Sequence, residues 1–203
     1  MTKDELKRIE IFEETSSRFT GDGYQMRDIT VSTGAANAAG TLLGIVPVIP
    51  FAVIYFCRFG FEMEPFSAWM YVVAFVVTVI SIVIHELIHG ATWSLFAKNG
   101  FKSISFGFIV EYLTPYCSCK DPLKRSGYIL GGIMPGLLLG IVPLVISCII
   151  GNHIVFFYGA FMTVCAGGDL LIFSMIMRDR KVRDEFFLDH PTKVGLVKFE
   201  KAE

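Results

Sequence analysis

Four stretches of this chain are apolar, depleted of charge and long enough to cross a lipid bilayer, which takes roughly 20 residues. The first, Gly34 to Cys57, has no charged residue. The second, Ser67 to Ala97, carries only His85, Glu86 and His89 as ionisable groups. The third, Tyr128 to Ile150, is again uncharged, and the fourth, His153 to Met177, holds one acid, Asp169. Only Gly151-Asn152 separates the last two, so they must reverse in a tight antiparallel hairpin. The 203 residues are 53% hydrophobic, and it is the gathering of that excess into runs that argues against a soluble fold with apolar core helices. The expectation is an all-α polytopic membrane protein of four transmembrane helices, with spans at about 34–57, 67–97, 128–150 and 153–177. A short N-terminal segment (1–33) would precede this domain (34–177), and a polar tail (178–203) would follow it.

Basic residues orient such a chain, since Lys and Arg accumulate in cytoplasmic loops. The loop from Arg58 to Phe66 has one positive charge and Gly151-Asn152 has none. Lys3, Lys7, Arg8, Arg18 and Arg27 precede the first run, Lys98, Lys102, Lys120, Lys124 and Arg125 follow the second, and seven basic residues follow the fourth. Both termini are therefore expected in the cytoplasm, with the chain in the cell membrane. The first residues lack the basic start and apolar stretch of a signal peptide, and Leu6, Ile9 and Phe12 suit a short surface helix. A net charge of −1 gives no footprint for nucleic acid. Five cysteines, an odd number, indicate no disulfide framework, and Cys117-Ser118-Cys119 lacks the spacing of a zinc knuckle.

Between the second and third runs, Lys102 to Thr114 alternates small polar with apolar residues and is rich in strand formers. It predicts a short β element on the cytoplasmic side, with an edge around Ser103 to Tyr112 free to pair with an extended peptide.

His85-Glu86-Leu87-Ile88-His89 is the segment with chemistry. On a helix, positions four apart lie on one face about 6 Å from each other, so both imidazoles can reach one zinc ion. Glu86 beside them can take a proton from water activated by that metal. Its place inside an apolar run sharpens the reading, because each ionised group in mid-bilayer costs about 2.5–3.5 kcal/mol. No Lys or Arg lies in any of the four runs to offset Glu86, whereas a bound dication would.

A catalytic zinc has three protein ligands and one open position. The candidates for the third are Asp169, Glu111, His153 and His190. Depth favours Asp169: His89 and Asp169 each lie eight residues from the cytoplasmic end of their runs, roughly 12 Å deep at the helical rise. Gly167-Gly168 would let this helix approach the second span or open locally beside the metal. His153 falls at the far end of its run, His190 sits in the polar tail, and Glu111 reaches the site only if its strand folds under the membrane. Pro47 and Pro50 should kink or end the first span, Asn37 should pack against another helix, and Trp69, Tyr71 and Trp93 fit interfacial belts. Gly131-Gly132 should permit close packing. Tyr112, Tyr116 and Tyr128 are all available to an oxyanion.

Taken together, His85 to His89, Pro115-Tyr116-Cys117, Gly167-Gly168-Asp169-Leu170 and Asp189-His190-Pro191-Thr192-Lys193-Val194-Gly195 resemble the zincin membrane peptidases, small bacterial multi-span proteins akin to site-2 proteases. The resemblance covers nearly all of the chain after residue 60. It implies a zinc metallopeptidase carrying out intramembrane proteolysis, with His85, His89 and Asp169 as metal ligands and Glu86 as general base. In site-2 proteases the aspartate follows an Asn/Pro-rich stretch; here Gly167-Gly168 stand before it. The implied cofactor is zinc, and the implied partners are the bilayer and a membrane-associated peptide substrate. Two rival readings are a prenylated-protein-type membrane metallopeptidase with a glutamate as third ligand, and a non-proteolytic zinc-binding membrane protein.

Overall fold

The computed structural model describes residues 3–61, 67–109 and 114–201. Helix α1 (Lys3–Gly21) and strand β1 (Tyr24–Val31) lead into α2 (Thr33–Ile45). Ser32 starts α2 by accepting a hydrogen bond from the Ala35 N–H at 3.4 Å. The helix is interrupted beside Pro47, which has no N–H to donate, and resumes as α3 (Val48–Phe59). The apolar stretch Thr33–Phe59 is 27 residues long, as is the next helix, α4 (Ala68–Ser94). A third, Arg125–Ile150, comprises α5 (Arg125–Pro135), a wide turn over Gly136–Ile141 and α6 (Val142–Ile150). The wide turn follows Pro135, whose ring opposes regular helical bonding.

Gly151, with φ of +74°, ends α6 in the left-handed region that glycine adopts without strain. Asn152 then starts α7 (His153–Cys165), its side chain accepting from the Val155 N–H at 3.1 Å. The third and fourth runs therefore do form a hairpin. Close packing follows from glycines on facing helices: a Cβ on Gly159 would lie 2.9 Å from the Leu144 nitrogen. At Ala166 the helix breaks, and α8 (Gly167–Arg178) continues at an angle of 48°. Three helical stretches are thus long and apolar enough to span a membrane, and a fourth if the bent pair is one span. Their outward faces carry exposed large apolar side chains such as Leu42, Val72, Phe75, Val83 and Ile149. This is a membrane protein.

The helical membrane portion is accompanied by more β structure than an all-α reading allows. Strands β2 (Ile104–Ile109) and β3 (Thr114–Cys119) form an antiparallel hairpin between α4 and α5, where the sequence predicts a β element. Pro115 lies inside β3 rather than ending the strand region. A second sheet, unforeseen, has the order β1-β6-β5-β4, with β4 (Leu123–Lys124), β5 (Glu185–Asp189) and β6 (Val194–Lys201). It joins the residues before α2 to those after α8, so the polar tail is built into the fold.

Two features lock this sheet to the helices. Apolar side chains of α4, α5, α8, β5 and β6, among them Trp93, Tyr128, Ile176, Phe187 and Leu196, form one continuous core. Beside it Lys198, fully buried, places Nζ 2.9 Å from Asp179, 3.0 Å from Glu185, 2.5 Å from Glu200 and 2.7 Å from the Arg180 carbonyl. Arg125 donates to Glu185 at 2.5 Å and to the Ile176 carbonyl at 2.6 Å. Buried charges persist only when paired in this way, and here they tie the end of α8 to the start of α5.

Candidate metal centre

The helical period brings His85 and His89 to one face of α4, with ring centroids 4.9 Å apart and planes at 77°. Across from them Asp169 projects from the first turn of α8. His85 Nε2 lies 3.1 Å from Asp169 Oδ2, and His89 Nε2 lies 3.4 Å from Oδ1. One donor atom from each of the three residues falls within 4.8 Å of the others. Both histidines are buried.

The orientation of His89 is fixed from behind. Its Nδ1 lies 2.8 Å from the Gly131 carbonyl oxygen, which can only accept, so the Nδ1 proton is committed there and Nε2, on the Asp169 side, is the nitrogen left to ligate a metal. Trp93 stacks on the same imidazole, centroids 5.0 Å apart and planes 15° apart. The Trp93 Nε1–H donates to the Tyr128 carbonyl at 3.1 Å, and the Tyr128 hydroxyl donates to Asp189 on β5. Gly131 is needed for this stack, because a Cβ there would come within 2.1 Å of the indole.

Two imidazole nitrogens and one carboxylate are the donor set of a zinc site with three protein ligands. They border a cavity of about 270 Å³ that also receives Glu86, leaving space for water and a substrate carbonyl next to the donors. Glu86 follows His85 on α4, and its carboxylate takes a hydrogen bond from the backbone of Cys117. The residue types and their convergence fit zinc, with Glu86 outside the ligand set and free to act as a base.

The other candidates for the third ligand lie elsewhere or outside the described residues. His153 begins α7 and is not part of the donor group. His190 is held by its own turn, its Nδ1 accepting from the N–H groups of Thr192 at 3.2 Å and Lys193 at 3.0 Å. Glu111 and Tyr112 lie outside the described residues. Among the described residues, the group that gathers three such donors is His85, His89 and Asp169.

Several expectations are corrected by these contacts. The strand that borders the cavity beside Glu86 is β3, through Pro115, Tyr116 and Cys117. Trp93 is buried against His89 instead of sitting in an interfacial belt. Gly167 packs on α2, not α4: a Cβ there would meet the Gly40 carbonyl oxygen at 2.1 Å. Asn37 is exposed. Cys117 and Cys119 are free thiols. Burial and the nearby Glu86 and Asp189 carboxylates push the Cys117 thiol up, and burial pushes Cys119 up to about 12, so both are protonated at neutral pH.

Residues 78–182 match the family model described as "Putative zincin peptidase". The chain belongs to that family. The family's description implies peptidase chemistry and zinc, and the matched stretch holds His85, Glu86, His89, the β2–β3 hairpin and Asp169. Asp189 falls outside it, so the strand that buttresses Tyr128 belongs to a part of the chain that the zincin match does not reach. Neither a curated protein nor a solved structure matches the chain significantly. The reading of the residues missed the supporting set: the Gly131 carbonyl, the Trp93 stack and the Tyr128–Asp189 pair. Gly131-Gly132 carried a signal, since paired small residues mark close helix approach, but nothing in the sequence says which carbonyl is thereby exposed.

Proposed function

We propose that this chain is a zinc-dependent endopeptidase of the site-2-protease type, cleaving membrane-associated peptides within or beside the bilayer. The observation that carries the reading is the convergence of His85, His89 and Asp169 donors within 4.8 Å, with Glu86 on the same cavity. We read the bent pair α7–α8 as one span, giving four, with both termini in the cytoplasm of the cell. In support, β1, the β2–β3 hairpin and the β5–β6 strands all join the helix ends that lie on the side rich in Lys and Arg.

His85 and His89 would hold the metal through Nε2 and Asp169 through a carboxylate oxygen, with the Gly131 carbonyl keeping His89 in the required tautomer. When bound, zinc supplies Lewis acidity, acidifying water and polarising a peptide carbonyl. Glu86 takes a proton from the attacking water onto a carboxylate oxygen and passes it to the amide nitrogen of the departing chain. The Cys117 backbone, by bonding to Glu86, aims that carboxylate into the cavity. A substrate must be extended here, because a helix hides its carbonyls within its own hydrogen bonds.

The test is cleavage of a panel of fluorogenic membrane-anchored peptides by the protein in liposomes, wild type beside Glu86→Gln. Cleavage by the wild type, with a loss of about 10²–10⁴-fold in a Glu86→Gln variant that keeps its zinc, supports the reading. An equally active Glu86→Gln variant would refute it.

A further inference from the structure

The two faces of the β2–β3 hairpin serve different ends. On the inner face Ile104 pairs with Cys119 and Phe106 with Cys117, and these pack on α4; a Cβ at Gly90 would lie 2.5 Å from the Phe106 ring. Side chains alternate along a strand, so the outer face carries Ser105 opposite Ser118 and Gly107 opposite Tyr116. Helix α1 lies over this outer face and sets the Arg8 guanidinium 4.7 Å from the Tyr116 ring centroid. Between them is a pocket of about 130 Å³, bordered by Lys7, Arg8, Ser105, Tyr116, Ser118 and Lys120. That is room for several waters or one tetrahedral oxyanion.

All six of these side chains can donate hydrogen bonds, and three of them, Lys7, Arg8 and Lys120, carry positive charge. Arg8 Nε is buried without a hydrogen-bond partner. Among the described residues the hydroxyls of Ser105, Tyr116 and Ser118 have none either, and Lys7 and Lys120 form no ion pair. A buried donor left unpaired is costly and calls for an explanation. One carboxylate, Asp189, stands at the pocket wall, close enough for the Arg8 charge to act on it, and it also accepts from the Tyr128 hydroxyl. His190, also at the wall, has its Nδ1 filled by two backbone N–H groups and its Nε2 3.8 Å from Asp28.

We propose that this pocket binds a phosphate group. An arginine fork, two ammonium groups and three hydroxyls supply donors from both α1 and the hairpin, which suits the several oxygens of a tetrahedral phosphate better than a flat carboxylate. The pocket sits beyond the cytoplasmic end of α4, where the apolar span gives way to polar chain, so the phosphate can belong to an anionic lipid headgroup or to a soluble ion. Binding would clamp α1 to the hairpin whose inner strand holds Glu86, and it stands independently of the peptidase reading.

The experiment uses the full chain in neutral detergent, read by melting temperature and by native mass spectrometry. One arm titrates inorganic phosphate against chloride at fixed ionic strength; the other adds phosphatidylglycerol or phosphatidylcholine. The expected result is a rise of several degrees and one retained equivalent for phosphate or for phosphatidylglycerol, the responding arm assigning the source. Arg8→Gln should weaken binding about tenfold or more. Ser118→Asp should abolish it by supplying an anion in place, while keeping the unliganded melting temperature. The proposal is overturned if neither ligand exceeds its control, or if Ser118→Asp binds as the wild type does, including when Arg8→Gln fails to fold.

Discussion

The Gly131 carbonyl oxygen lies 2.8 Å from His89 Nδ1, so the backbone of α5 decides which nitrogen of the imidazole faces Asp169. That bond is possible because α5 comes close enough to α4 for Trp93 to lie over a glycine. The neighbouring Gly132 has open space where a Cβ would go. Gly131→Ala should therefore weaken zinc binding by about 10–100-fold, the usual effect of losing a bond behind a metal-bound histidine. Gly132→Ala should leave it unchanged. Competition with a chelator measures both, and equal affinities for the two variants would contradict this role for the carbonyl.

A second glycine pair tests how α8 delivers Asp169. A Cβ at Gly167 would collide with the Gly40 backbone of α2, whereas Gly168 has nothing within 4 Å. Gly167→Ala should cost about 1–3 kcal/mol of stability, in the range of overpacking a close contact. It should also loosen zinc by moving the first turn of α8. Gly168→Ala is expected to be silent in both denaturant titration and zinc affinity. A stable Gly167→Ala protein with normal zinc binding would mean that α2 does not set the position of Asp169.

The buried Lys198 should be the most costly charge in the chain to remove. Lys198→Met leaves Asp179 and Glu185 with fewer partners in a closed site, a change expected to cost about 3–5 kcal/mol. Equilibrium unfolding measures it, and a loss under 1 kcal/mol, the median for an exposed pair, would contradict the network's role.

The same network sets the response to acid. Burial tends to raise the pKa of Asp179, but hydrogen bonds from Arg27 and Lys198 outweigh it and hold the group below its ordinary 3.8. Glu185 likewise lies below its ordinary 4.5, burial being outweighed by Arg125, the Val182 N–H and Lys198. Groups depressed in the folded state stabilise it fully above their unfolded pKa, and that contribution is lost as pH falls through the folded value. The stabilisation these two carboxylates supply should be constant from neutral pH to about 5 and be lost below it, so the melting temperature should fall as the pH drops below about 5. A melting temperature that rises on acidification below pH 4 would contradict the assignment.

The membrane helices were legible because lipid imposes a single demand, about 20 uncharged residues, that hydropathy reads directly. The donor set was legible for a related reason. Ionisable groups in such runs are few, so His85, His89 and Asp169 stood out, and the equal depths of His89 and Asp169 suggested a common site. The four-stranded sheet was not legible. Tyr24–Val31 and Val194–Lys201 pair across nearly the whole chain, and β6 contains Lys198 and Glu200, charges that usually mark an exposed segment. The burial of Lys198 depends on partners beyond its own strand, Asp179 and Glu185, that no local pattern announces. Trp93 misled in the same manner: a tryptophan near a span end suits an interface, and only the absence of a side chain at Gly131 draws it inward. The bend at Ala166 was half visible in Gly167-Gly168, but which helix those glycines touch is a tertiary fact.

The central claim is that His85, His89 and Asp169 form one zinc site, and metal content measures it most directly. Wild-type protein purified without chelators should carry about one zinc per chain, the stoichiometry of a site with three protein ligands. Asp169→Ala should fall well below that while remaining folded. An Asp169→Ala protein that still holds one zinc tightly would contradict the account and place the third ligand elsewhere.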